Sequence, residues 1–326
     1  MHKLSRYKIA SVLIGGIPGL RRRQKEQFLR SRAILVLGNG RSGTSVLTRC
    51  LSYAGAELGE GKLLGPNRRR NPKGYFENTR IIDLHKKIGG KIRYRPAATG
   101  YERSIKIMPI RRELTDYLRH EFADRPLWVV KDPRMNDYLA LWKAVLQELG
   151  VEPHFVIMIR NPLDVLHSYK RAGWGTDRTW SLRQWQIRTL LSLHDTFGKK
   201  RVIVPYEELS AQPLKCLHRI FATLELPWTA DDAKLQQQID RFIDPNYMHS
   251  GSGFFREQFL QSDAIGDDVK ELYLFVRDAA QSQSELNLPA FHAEVVRLYR
   301  AYLRDYGPLY RDPPRQKATG KEDRPK

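Results

Sequence analysis

The stretch AILVLGNGRSGTS, residues 33–45, decides the fold. An unbroken apolar run opens directly into a glycine-rich loop. SVLTRCLSYAG (45–55) then continues as a helix that ends at Gly55. A strand, a glycine loop and a helix in that order make an anion cradle, because successive backbone N–H groups converge at the helix N-terminus. A nucleotide triphosphatase writes this loop as G-x-x-x-x-G-K-[ST]; its lysine reaches the β and γ phosphates and its hydroxyl residue ligates Mg²⁺. Here Gly38 and Gly43 keep the spacing, Thr44 stands where the lysine belongs, and Arg41 is the nearby cation.

Downstream the alternation repeats. LWVVK (127–131), HFVIMIR (154–160) and KRVIVPY (200–206) are short apolar strands bounded by Pro, Gly or charge, with helical patterns between them. Such spacing predicts crossover connections, hence an α/β fold: three layers of P-loop type, with a central mostly parallel β-sheet flanked by helices. Ligands of these sheets bind beyond the carboxyl ends of the strands. GNGRSGT, KDPRM (131–135), RNPLDVLHS (160–168) and YEEL (206–209) are therefore expected at one edge. Residues 56–76 read as a long loop dense in Gly, Pro and Arg, and ENTRIIDLHKKI (77–88) as a helix.

With 326 residues the chain has room for a substantial core. We divide it into an N-terminal basic and apolar appendage (1–30), one domain (31–310) and a charged, apolar-poor tail (311–326) expected to be disordered. The 56 basic and 36 acidic residues leave a net charge of +20, which points to anionic partners. IASVLIGGIPGL (9–20) is too short and too rich in glycine to span a bilayer, and Arg21-Arg22-Arg23 stand where a signal peptide needs small residues. Peripheral contact with a membrane through residues 1–23 fits this pattern. Cys50 and Cys216 form neither a disulfide framework nor a zinc pattern, which suits a reducing cytoplasm.

RSGTS (41–45) resembles the 5′-phosphosulfate loop, R/K-S-G-T-[TS], of sulfotransferases that use 3′-phosphoadenosine-5′-phosphosulfate (PAPS). That resemblance implies that Arg41, Ser42, Gly43, Thr44 and Ser45 hold the phosphosulfate and that no metal is required, which accounts for the missing lysine. A second motif is independent of the first. The family's 3′-phosphate element is a strand-end arginine followed eight residues later by a helical serine, and Arg160 and Ser168 match it around the Asn161-Pro162 turn. Tyr206, which opens YEEL, resembles a Tyr-Glu-x-Leu element and is expected near the nucleotide or in the core. The resemblance covers about residues 33–210.

An acceptor hydroxyl must lose its proton as it attacks sulfur, so a general base is expected. Hormone-type sulfotransferases use a histidine, whereas the tyrosylprotein branch uses a glutamate in a segment that NPKGYFENTRIIDL (71–84) resembles. The likeness implies Glu77 as the base, at the start of a helix, with His85 as the alternative. KDPRM resembles a segment of the same branch whose lysine neutralises the leaving oxygen; it implies Lys131 in that role, beside Arg41 at the transferring group, and leaves Arg134 to the donor or an acidic acceptor. No C-terminal R-K-G-type loop is found, although Ser250, Ser252 or Arg256 of HSGSGFFREQF (249–259) could substitute. The acceptor is read as a carbohydrate or glycolipid hydroxyl, a phenolic or peptidyl tyrosine being second; Tyr75, Phe76, Trp174, Trp180 and Arg68-Arg69-Arg70 are candidates for its mouth.

Two other classes compete. A P-loop kinase or other NTPase would want a loop lysine and carboxylates for Mg²⁺, neither of which is evident. A non-catalytic nucleic-acid-binding protein would explain the charge but not RSGTS together with Arg160 and Ser168, so no nucleic-acid partner is expected.

Overall fold

Residues 33–37 carry apolar side chains on both faces of a strand, which only a sheet covered on both sides can bury. In the computed structural model that strand, β1 (Arg32–Leu37), lies inside a four-stranded sheet of order β2-β1-β3-β4, with every neighbouring pair parallel. The structure describes residues 31–68, 70–92, 100–173, 177–243 and 256–307. The expected appendage and the whole of the expected tail lie outside these residues, as do Arg69, Trp174, Ser250, Ser252 and the side chain of Arg256.

In chain order, β1 is followed by α1 (Thr44–Tyr53), α2 (Thr79–Lys91), α3 (Met108–Phe122), β2 (Leu127–Lys131), α4 (Leu139–Leu149) and β3 (Glu152–Ile159). Next come α5 (Pro162–Arg171), α6 (Arg178–Asp195), β4 (Arg201–Pro205), α7 (Tyr206–Ala211), α8 (Pro213–Thr223) and α9 (Asp232–Phe242). The described chain closes with α10 (Arg256–Gln261), α11 (Asp267–Ala279) and α12 (Pro289–Tyr306).

Strand periodicity sorts the core into layers. Ala33, Leu35, Leu37, Phe155, Ile157 and Ile159 face one hydrophobic cluster, shared with α2 to α6 and the C-terminal helices. Ile34, Val36, Val156, Met158, Val202 and Val204 face a second cluster, shared with α1, α8 and α9. The three layers expected from sequence are present, and the sheet is parallel throughout its described strands. Among the described residues no helix is long and apolar enough to cross a membrane.

Strand order positions the site. From β1 the chain moves to β2 on one side, then returns past β1 to β3 on the other. The loops after β1 and β3 therefore part company at their carboxyl ends, opening the crevice where such sheets bind ligands.

Candidate functional site

The loop after β1 is held open by glycines that no other residue could replace. Gly38 has φ 137°, and a Cβ there would lie 2.6 Å from the Met158 carbonyl oxygen. Gly43, with φ 90°, precedes α1 directly, and a Cβ would lie 2.4 Å from the Tyr206 ring. No side chain caps α1, so its first-turn amides face the crevice without intrahelical partners. Ser42 Oγ is buried in the same loop and has no hydrogen-bond partner among the described residues. These unsatisfied donors are what an anionic ligand would complete.

Arg41 links this cradle to the loop after β3. Its Nε donates to Ser168 Oγ on α5 at 3.0 Å and its Nη1 to the Arg70 carbonyl at 2.7 Å. Arg160 donates through Nη1 to the Arg41 carbonyl at 3.1 Å, and its guanidinium lies 4.1 Å from the centre of the Tyr206 ring. Burial pulls the Arg41 guanidinium below its ordinary value, with Arg160 and Arg171 acting the same way and Tyr75 and Tyr169 opposing. Arginine nevertheless stays charged. Two guanidinium groups withdrawn from water side by side favour an anion between them. Tyr206 is buried in the core, where it floors the glycine loop and carries Arg160 on its face.

The second half of the site stands at the end of β2. Lys131 Nζ donates to Glu77 Oε1 at 2.7 Å and to Ser45 Oγ at 3.0 Å. Both members of this ion pair are buried, Lys131 at 4% and Glu77 at 5% exposure, next to the cradle. Asn71 Nδ2 also donates to Ser45 Oγ, at 3.4 Å, so the 67–71 turn closes over the same serine. Glu77 does not start a helix, contrary to expectation. Asn78 is the N-cap of α2, accepting from the amides of Arg80 and Ile81, and Glu77 lies outside it, paired by its carbonyl to the Leu64 amide. A capping Asn outcompetes a Glu for that position because its short side chain reaches the orphan amides.

His85 is placed differently from a base. It is fully buried, its Nδ1 lies 3.0 Å from Asp132 Oδ2, and its Nε2 lies 2.9 Å from Trp142 Nε1. An indole N–H can only donate. Nε2 is therefore the acceptor, Nδ1 carries the proton given to Asp132, and no lone pair of the ring faces the crevice. Burial on its own pushes the Asp132 carboxyl up, but His85 and then Arg134 more than reverse this, holding it below the usual carboxylate range.

Sequence reasoning passed over the residues that join these halves. Asn136 accepts from the Gly38 amide at 2.9 Å, donates back to the Gly38 carbonyl at 2.9 Å and donates to the Pro133 carbonyl at 2.7 Å. Its carboxamide clasps the glycine loop to the turn after Lys131. Asn39, held by Tyr169 and Arg188, does similar work on the α6 side. A buried Asn following a strand-end turn was the available signal. Of the expected mouth, Phe76 instead packs edge-on against Phe242 on α9, with ring centres 5.8 Å apart, and Trp180 lies on α6.

This cradle and ion pair sit in a chain of recognisable lineage. A family model described as Sulfotransferase family matches residues 33–230, and the chain belongs to that family. Its chemistry in general is the transfer of a sulfuryl group to a hydroxyl-bearing acceptor. Among solved structures the chain is similar to sulfotransferase STF1 from Mycobacterium tuberculosis H37Rv, with 16% identity, 78% of this chain and 79% of that one covered, and a TM-score of 0.37. It is also similar to the sulfotransferase domain of the Synechococcus PCC 7002 olefin synthase, at 18% identity, with 78% and 94% covered and a TM-score of 0.37. A third is sulfotransferase STF9 from Mycobacterium avium, at 14% identity, with 89% and 81% covered and a TM-score of 0.40. A search of curated proteins finds no match.

Proposed function

We propose that this chain transfers the sulfuryl group of PAPS to an acceptor hydroxyl, with Glu77 as general base and Lys131 beside the leaving oxygen. One observation carries the reading: Arg41 Nε meets Ser168 Oγ at 3.0 Å, so a phosphate cradle and a second anion site, Arg160 with Ser168, adjoin in one crevice. A donor with phosphates at both ends of a nucleoside needs that pairing, and ATP does not. The orphaned Ser42 hydroxyl, the uncapped amides of α1 and the withdrawn Arg41 guanidinium fit the phosphosulfate end.

When bound, the donor supplies the electrophilic sulfur and a phosphate leaving group. The chain supplies the rest. Glu77 takes the acceptor proton, Lys131 meets charge developing on the leaving oxygen, and Arg41 with the α1 amides holds the transferring end. Arg160 and Ser168 bind the remote phosphate and orient the donor without touching the reacting atoms. His85 is assigned a supporting role beneath Asp132. A carbohydrate or glycolipid hydroxyl is the acceptor class proposed. A reducing cytoplasm is the proposed location, consistent with two free buried thiols, Cys50 being pushed up to about 12 by burial.

Calorimetry with adenosine 3′,5′-bisphosphate in the absence of Mg²⁺ tests the reading. Tight binding, together with sulfuryl transfer from PAPS, is expected; preference for ATP–Mg²⁺ would make the protein a phosphotransferase, and binding of DNA alone would remove the enzyme reading.

A further inference from the structure

The turn after β2 ends in a cation that the scheme above does not use. Arg134 donates through its amide and Nη1 to Asp132, at 2.9 Å from the amide and 2.8 Å to each carboxylate oxygen. Asp132 accepts in turn from His85, and His85 from Trp142. Every member of this chain is buried except its last: the Arg134 side chain is 36% exposed. Among the described residues the Nε and Nη2 groups of Arg134 make no hydrogen bond. Three buried groups thus hold a guanidinium rigidly while half of its donor fork is left for something else. A surface ion pair would not need that depth of support.

Strand order places Arg134 on the β2 side of the site. Arg41, Arg160, Ser168 and Tyr206 surround the crevice between β1 and β3, while Lys131 and Glu77 stand at β2, the sheet's edge strand. A donor stretched across the crevice with its reactive end at Lys131 leaves only the β2 side for the incoming hydroxyl. Arg134 is three residues from Lys131 on that side. The loop that closes over Ser45 is basic. Lys131 is matched by Glu77 and Arg134 by Asp132, but from Leu63 to Phe76 the chain carries Arg68, Arg69, Arg70 and Lys73 and no carboxylate. That segment is anchored at the cradle through the Arg70 carbonyl and Asn71, with Arg68, Arg70 and Lys73 exposed.

We infer that Arg134 is a specificity-determining contact for an anionic acceptor, one bearing a carboxylate, sulfate or phosphate next to the hydroxyl that is sulfated. The inference rests on the donor reading above, which fixes where the acceptor enters. A planar fork with two free donors suits such groups in a bidentate pair. A neutral sugar would leave the fork to water.

Binding measured on the protein saturated with adenosine 3′,5′-bisphosphate tests this directly. The probes are 4-nitrophenyl β-D-glucoside, its 6-sulfate and 4-nitrophenyl β-D-glucuronide, followed by ligand-detected NMR. Wild type is expected to bind both anionic probes at least about tenfold more tightly than the glucoside, about 1.4 kcal/mol. The carboxylate and sulfate arms show which anion is preferred. In Arg134→Gln the preference should fall to within about twofold with bisphosphate affinity unchanged, while the melting temperature drops because the buried Asp132 carboxylate loses its guanidinium partner. Arg134→Lys, which keeps the charge and loses the fork, should retain part of it. Equal binding of all three probes by wild type, no binding of either anionic probe, or an unchanged preference in Arg134→Gln overturns the inference. So does a matching loss of bisphosphate affinity, which would make Arg134 a donor contact. Failure of wild type to bind the bisphosphate at all is the separate result that defeats the donor reading.

Discussion

Glu77 and Lys131 are buried against each other, so their substitutions should differ in kind. Glu77→Gln keeps an oxygen for Lys131 and removes the proton acceptor; turnover should fall about 10²- to 10⁴-fold with donor affinity intact. Lys131→Ala should slow the chemical step on the order of 10²-fold and also leave Glu77 as a lone buried charge, so its melting temperature should drop well below that of Glu77→Gln. Steady-state kinetics with thermal melts checks both. Wild-type turnover in Glu77→Gln would reassign the base. Asp132 gives a pH test. Its folded value is depressed, so the unfolded chain takes up the proton first as pH falls. Its stabilisation is complete above the unfolded value, about 3.9, and is lost as pH drops from there through the folded value. The stability gap between wild type and Asp132→Asn should therefore be constant from pH 5 upward and shrink below pH 4. The segment around Glu77 stood out through its resemblance, although its pairing with Lys131 did not; nor did the confinement of His85, because its partners Asp132 and Trp142 lie 47 and 57 residues away.

At the scale of elements, two helix starts invite opposite substitutions. Gly43→Ala places a Cβ 2.4 Å from the Tyr206 ring on a backbone with φ 90°, so the start of α1 must shift. Bisphosphate binding should weaken at least about tenfold, by calorimetry, even where the variant still folds. Asn78→Ala removes the cap of α2 and the 2.6 Å bond to Tyr117, which should cost about 1 kcal/mol or more of stability in denaturant unfolding. Its effect on turnover should be the larger one if the cap also steadies Glu77. The strands and α1 could be read to within a residue or two, because apolar runs bounded by Pro and Gly leave little choice. The start of α2 fell within the same margin, but which residue caps it could not be read, since Glu and Asn compete there and only packing decides.

For the whole molecule, the sheet order was the least legible feature, because periodicity says which residues share a face but not which strands are neighbours. Yet that order makes the crevice, and with it a discriminating measurement. Adenosine 3′,5′-bisphosphate at 100 times its Kd should stabilise the protein by about 2.7 kcal/mol, several degrees of Tm. Adenosine 5′-diphosphate, lacking the 3′ group, should give much less, and Arg160→Ala should make the two nucleotides alike. Equal shifts from both in wild type would contradict the assignment of Arg160 and Ser168. The ion pair at the head of β2 bears on idle turnover as well. On the proposed reading, the charge of the Lys131 ammonium is matched by Glu77 before an acceptor arrives, and two of its three N–H groups go to Glu77 and Ser45, which weakens its help to loss of the sulfuryl group to water. An enzyme so arranged wastes little donor while it waits. Glu77→Ala should undo that thrift: transfer to the acceptor falls, and acceptor-free hydrolysis of the donor rises.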